Sequence, residues 1–193
     1  AGADIDLAVN ISTVEIEHPH FVTSVNELLE RYEFAPARLE FEITESMATQ
    51  NPKIVLERIA ELRRLGIRFA IDDFGTGYSN LSKLVKLPID TLKLDRSLIK
   101  GVATNPETLS VVRVALSLAR TFRFRSVVEG VESLDDLKVL AEEGADMAQG
   151  FFFSPAVPIS EIRAIIQPHR LIEALKPRRP AHASNAAGVA RAS

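Results

Sequence analysis

The stretch from Gly66 to Ser79 reads Gly-Ile-Arg-Phe-Ala-Ile-Asp-Asp-Phe-Gly-Thr-Gly-Tyr-Ser. Its first half, Ile67 to Ile71, has the apolar composition of a short strand; it follows Gly66, which stops the helical pattern of Lys53 to Leu65, and it runs into two adjacent carboxylates. Helix, strand and acid at the strand's C-terminal end make a unit that repeats along the chain. Strands are predicted at Leu7 to Ile11, Leu39 to Ile43, Thr91 to Leu94 and Ser126 to Val128, with a weaker one near Met147 to Phe151. Helical periods lie between them at Phe21 to Tyr32, Asn80 to Val85, Glu107 to Phe122 and Leu134 to Glu143. Asn51-Pro52 and Asn105-Pro106 read as helix starts and Gly144 as a further stop. This alternation predicts parallel strands joined by right-handed crossovers.

The strand ends decide between the two common arrangements of such a sheet. Each closes on a polar group: Asn10, Glu42, Asp72 with Asp73, Lys93 with Asp95, Glu129, and Gln149. An open sheet gathers its site at one switch point, whereas a (β/α)8 barrel brings every strand end to one face, so six polar ends favour the barrel. A closed barrel has eight strands and runs to about 250 residues. The expectation is therefore a TIM-like barrel whose first two strands are not in this chain.

Composition sets the outer limits. With 193 residues, 46% hydrophobic and 25% charged, the chain is one globular domain with a sizeable core. The absence of cysteine excludes a disulfide scaffold, a thiolate metal site and a thiol nucleophile. No apolar run approaches the roughly 20 residues of a membrane span, since Arg113 interrupts and Arg120 ends Val111 to Ala119, and no signal-peptide pattern opens the sequence. The net charge of -3 is uneven: residues 176–193 hold Lys176, Arg178, Arg179 and Arg191 with no acid, so the rest is markedly acidic. That balance argues against a DNA or RNA groove. Residues 1–168 are expected to form the domain, and 169–193 a helical end and a disordered Ala/Pro/Arg tail.

At the barrel mouth the sequence places Glu42, Asp72, Asp73, Asp95 and Glu129, with Glu45 and Glu132 just beyond and Lys93 as the only cation among them. Carboxylates this dense require a counter-charge, and hard divalent cations supply it. An all-oxygen set with the Asn10 amide suits Mg2+ or Mn2+ rather than zinc. Adjacent Asp72 and Asp73 suit two ions about 4 Å apart, as in two-metal phosphoester hydrolysis. Asp73-Phe74-Gly75 as a kinase motif lacks its catalytic loop, and Gly75-x-Gly77 lacks the Lys-Ser/Thr of a phosphate loop. His18 and His20 around Pro19 read as a solvated loop before a helix.

In order, Asn10-Ile11-Ser12, Glu42-Ile43-Thr44-Glu45, Asp72 to Ser79, Lys93-Leu94-Asp95, Glu129-Gly130-Val131-Glu132 and Gln149-Gly150 resemble the EAL domain, the cyclic-di-GMP phosphodiesterase family. The resemblance covers about Leu7 to Pro158 and implies a barrel hydrolysing the cyclic dinucleotide to linear pGpG with Mg2+ or Mn2+. It implies that Asn10, Glu42 and Asp72 hold the first metal, and that Asp72 and Asp73 serve the second. By the same resemblance Lys93 holds the attacking water, Glu129 is the general base and Glu45 anchors the loop after Asp73, while Asp95, Glu132 and Gln149 are substrate or rim positions. The family's Glu-Ala-Leu strand lies upstream of the Asn-x-Ser strand, with a further metal ligand; Glu173-Ala174-Leu175 falls after the last strand and only spells the same letters. Val128 stands where the family usually has Ala.

The resemblance further implies a homodimer, a cytoplasmic setting and a sensor or GGDEF-type domain in a longer parent protein. Three functions follow as candidates: an active phosphodiesterase, a degenerate receptor for cyclic di-GMP, and a regulatory or interaction module.

Overall fold

The computed structural model describes residues 5–50, 52–76, 84 and 87–162. Six strands, β1 (Leu7–Asn10), β2 (Leu39–Thr44), β3 (Arg68–Phe74), β4 (Thr91–Leu94), β5 (Arg125–Val128) and β6 (Met147–Ala148), form one sheet in sequential order. Every pairing is parallel. A sheet that never reverses its order is the wall of a barrel rather than a doubly wound layer.

The side chains show that this wall is curled. Glu42 on β2 and Glu129 just past β5 lie 2.7 and 2.6 Å from the same Lys93 ammonium. Three strand spacings separate β2 from β5, about 14 Å along a flat sheet. Side chains that stand off a concave face lean toward one another, so two carboxylates that far apart along the sheet meet at one ammonium.

Alternation along each strand sorts the residues between the faces. Phe41, Ile43, Phe69, Ile71, Leu92, Leu94 and Val128 are buried under the helices, whereas Glu40, Glu42, Ala70, Asp72, Thr91 and Lys93 occupy the alternate positions, toward the concave side. The helices are α1 (Thr13–Glu17), α2 (Phe21–Arg31), α3 (Glu45–Gln50), α4 (Pro52–Arg64), α5 (Arg96–Ile99), α6 (Pro106–Phe122) and α7 (Leu134–Glu142). The long ones bury one stripe each: Val55, Ile59 and Leu62 in α4, and Val112, Ala115, Leu116 and Ala119 in α6. Spacings of three and four put those side chains on one face, which the sheet covers.

Local chemistry sets the helix ends. Asn105 Oδ1 accepts from the Glu107 amide at 2.9 Å, and Pro106 takes the first helical position of α6. The Ser133 hydroxyl accepts from the Asp136 amide at 3.0 Å to start α7. Such caps contribute about 1 kcal/mol each. Gly66 and Gly144 close the preceding helices with positive φ, as expected of residues without a Cβ.

The predicted strands and long helices all appear, with ends shifted by a few residues. The exception is β6, confined to Met147–Ala148 where strand to Phe151 was expected. Gly150 ends it: its backbone passes so near Val131 that a Cβ would stand 2.3 Å from the Val131 nitrogen and oxygen, and the chain turns there. Short helices α1, α3 and α5 were not anticipated, because each spans at most six residues, too few for a periodic pattern to show. The helix expected from Asn80 to Val85 lies outside the described residues except for Leu84, which is helical and buried. The domain boundary at 168, the tail and Glu173-Ala174-Leu175 also lie outside them. Among the described residues no helix is long and apolar enough to cross a membrane.

Candidate active site

Lys93 is the centre of the strand-end cluster. The inward phase of β4 turns it to the concave face, where only 4% of it is exposed. Its ammonium lies 2.7 Å from Glu42 Oε2, 2.9 Å from Asp72 Oδ1 and 2.6 Å from Glu129 Oε1. Burial works against its charge, but hydrogen bonds to Glu129, Glu42 and Asp72 outweigh it and hold the lysine pKa above its ordinary value. An ammonium with three donors and three acceptors is fully satisfied here.

The carboxylates respond differently. Burial pushes the Glu129 carboxyl up, with help from the charges of Asp72 and Glu42 and against the pull of Lys93. Gln149 Nε2 donates to Glu129 Oε1 at 2.8 Å, the same oxygen that meets Lys93. Asp73 is exposed and sits at φ 56, in the left-handed region that a short polar side chain tolerates. Its carboxyl is also raised, first by desolvation and then by Asp72 and Asp95. Its amide donates to Asp72 Oδ1 at 3.0 Å, and its carbonyl accepts from Thr76, which folds the chain sharply after β3.

Asn10 stands opposite Glu42 in the β1–β2 register, at the same height on the rim. Glu45 opens α3 directly after β2. Asp95 caps α5 by accepting from the Ser97 amide at 2.8 Å, which lowers its pKa. Glu132 pairs with Arg96 at 2.6 Å, so Lys93 is not the only cation at the mouth. Arg96 escaped the sequence reading because it follows the strand by two residues, in a helix too short to detect. Arg96, Glu129, Gly130, Glu132, Gln149 and Gly150 border a cavity of about 440 Å3 beside the cluster.

Below the rim lies a second polar layer that the sequence reading passed over. Thr91 Oγ1 donates to Glu40 Oε2 at 2.9 Å, and Arg125 Nη2 and Arg68 Nε lie 3.4 and 3.9 Å from the same oxygen. Its signal was present as alternation: Glu40 two residues before Glu42, Thr91 two before Lys93, Arg68 four before Asp72.

Asn10, Glu42, Asp72 and Asp73 offer hard oxygen donors without sulfur or imidazole, a chemistry that fits Mg2+ or Mn2+. Among the described residues no group of three acidic or histidine side chains is spaced to hold an ion; Glu42 and Asp72 meet the Lys93 ammonium instead. His18 and His20 are exposed with their rings 5.8 Å apart, away from any such group.

The EAL domain family model matches residues 1–156. This chain belongs to the EAL domain family. It is 33% identical over 157 residues to the cyclic di-GMP phosphodiesterase PdeR of Escherichia coli, covering 81% of this chain and 24% of that protein. It is 35% identical over 165 residues to the signaling protein YkoW of Bacillus subtilis, covering 86% of this chain and 21% of that protein. The chain thus spans about a quarter or less of these relatives.

Among solved structures, the EAL domain of Mycobacterium smegmatis DcpA superposes with a TM-score of 0.79 at 38% identity, over 84% of this chain and 72% of that one. The PaMucR phosphodiesterase in complex with c-di-GMP superposes at 0.76 with 35% identity, over 83% and 65%. These EAL neighbours match the barrel-wall reading of the six-stranded sheet.

Proposed function

We propose that this EAL chain belongs to a cyclic-di-GMP phosphodiesterase that hydrolyses the cyclic dinucleotide to linear pGpG. The observation that carries this reading is the Lys93 ammonium bound by Glu42, Asp72 and Glu129 at 2.6–2.9 Å on the strand-end face, in a chain related to a named cyclic di-GMP phosphodiesterase. Asn10, Glu42, Asp72 and Asp73 would hold the divalent pair, and when bound it supplies charge neutralisation at the phosphoryl oxygens and a lowered water pKa.

The chain's own groups divide the remaining work. Lys93, whose three donors are taken by Glu42, Asp72 and Glu129 in this structure, would turn one of them to the attacking water, and Glu129 accepts the water's proton at a carboxylate oxygen as the water approaches in line with the leaving sugar oxygen. Desolvation that raises the Glu129 carboxyl brings it nearer the strength a general base needs at neutral pH. Gln149 keeps the carboxylate aimed. Glu45 anchors the loop after Asp73, while Asp95 and Glu132 line the rim against substrate. A homodimer and an upstream sensor or GGDEF-type domain complete the proposal for the parent protein.

The test is pGpG formation with Mg2+ or Mn2+ by this chain, by a version extended upstream to include the Glu-Ala-Leu strand, and by that version carrying Glu129→Gln. The extended protein should turn over and the variant should fall by about 100-fold or more. Cyclic di-GMP binding without turnover in the extended protein would replace the enzyme reading with a receptor; neither binding nor turnover would leave an interaction module.

A further inference from the structure

Barrel interiors are ordinarily filled by bulky branched side chains, and a polar layer there has to offset its own desolvation. The layer of Glu40, Thr91, Arg68 and Arg125 therefore calls for a reason. Its geometry offers one. Thr91 donates to Glu40 at 2.9 Å, and two residues further along both strands Lys93 donates to Glu42 at 2.7 Å. These are two parallel rungs, both running from β4 to β2 and both crossing over β3.

Strands two places apart in a sheet are separated by roughly 10 Å, so each rung has to lean across the strand between. The β3 residue beneath both rungs is Ala70, in register with Glu42 on one side and Thr91 on the other. It is wholly buried and carries a single methyl, whereas the next inward residues of β3 are Arg68 and Asp72. A larger side chain at 70 would fill the gap that the rungs cross.

The lower rung is also braced by charge. Glu40 is flanked by Arg68 and Arg125, and Arg68 Nη2 is bonded in turn to Asp6 at 2.8 Å. Arg68 Nε is buried with no hydrogen-bond partner and lies 3.9 Å from Glu40 Oε2.

We propose that Glu40, Thr91 and Ala70 are positioning residues: the Glu40–Thr91 rung over Ala70 sets the β2–β4 separation and thereby places Glu42 and Lys93 for cation and water. None touches the reacting groups. The proposal rests on the metal reading above, so its test needs a readout that does not involve metal.

Two measurements on the full chain separate the possibilities. One is Mn2+ affinity by calorimetry for the wild type, Asp72→Ala, Thr91→Val, Thr91→Ser, Ala70→Val, Glu40→Ala and Glu40→Gln. The other is the proton–nitrogen NMR signal of the Lys93 ammonium, whose sharpness reports how firmly its three carboxylates hold it without any ion. Thr91→Val and Ala70→Val should weaken Mn2+ binding about tenfold, the loss typical of a disturbed supporting partner, and broaden the Lys93 signal. Thr91→Ser keeps the hydroxyl and should retain both properties, and Glu40→Gln, which still accepts from Thr91, should recover most of what Glu40→Ala loses.

Variants that melt at lower temperature but bind Mn2+ within twofold of the wild type and keep a sharp Lys93 signal would overturn the proposal, because a merely structural layer behaves that way. If the wild type binds no more Mn2+ than Asp72→Ala, the metal reading fails and the Lys93 signal alone decides the positioning role. Should Ala70→Val not fold, the contrast of Thr91→Val with Thr91→Ser carries the test.

Discussion

Replacing Lys93 by methionine tests the electrostatic centre of the site most directly. Methionine keeps the length and apolar stem and removes the charge that Glu42, Asp72 and Glu129 share at 2.6–2.9 Å. All four side chains are less than a fifth exposed, so solvent screens them little. Breaking a buried ion pair costs roughly 3–5 kcal/mol when the partner charge is left behind. Uptake of one proton limits the loss. Protonating a glutamate of ordinary pKa 4.5 at pH 7.5 costs about 4 kcal/mol, and less for Glu129, whose carboxyl is already raised.

Both routes converge on a destabilisation of about 3 kcal/mol for Lys93→Met at pH 7.5. The pH dependence follows from the same account. In the variant one carboxylate of the folded state has its pKa raised well above the unfolded value, so the folded form holds a proton the unfolded form releases. Stability is then regained as pH falls through the folded pKa toward 4.5, by up to about 1.4 kcal/mol per pH unit. Urea unfolding of the wild type and Lys93→Met at pH 7.5 and 5.5 measures it. A variant as stable as the wild type at pH 7.5, or one whose deficit does not shrink at pH 5.5, would refute a lysine-neutralised carboxylate cluster.

Two further outcomes are expected. Because the folded pKa of Lys93 is raised above 10.5, its stabilising contribution is complete below pH 10.5 and lost as pH rises through the folded value, so the wild type should lose stability more steeply than Lys93→Met in alkaline urea titrations. Gly150→Ala should cost about 3 kcal/mol or prevent cooperative melting, since its Cβ would stand 2.3 Å from backbone atoms of Val131, which cannot move aside as a side chain can; an unchanged melting temperature would show that the β5–β6 edge is looser than described.

The order and type of the elements were legible in the sequence by itself. The alternation of Ile67 to Ile71, the acids after it and the glycine before it are local signals, and strand period, helix stripe and turn chemistry depend on residues within a few positions of one another. The same local phase placed Glu42, Asp72 and Lys93 on one face, and Asn105-Pro106 and Gly144 marked helix ends that the structure keeps. Family membership came from the order of such segments.

What only the tertiary structure decided are the distances between segments remote in sequence. Glu42 and Glu129 are brought to one ammonium by the curl of the sheet, which no window of sequence encodes. Arg96 became a partner of Glu132 through a four-residue helix capped by Asp95. The Glu40–Thr91 rung joins residues 51 apart across an alanine that looks unremarkable in the chain. Local preference is summed over neighbours along the backbone, whereas these contacts exist because strands three places apart bend toward a common axis and leave their inward side chains nowhere else to go.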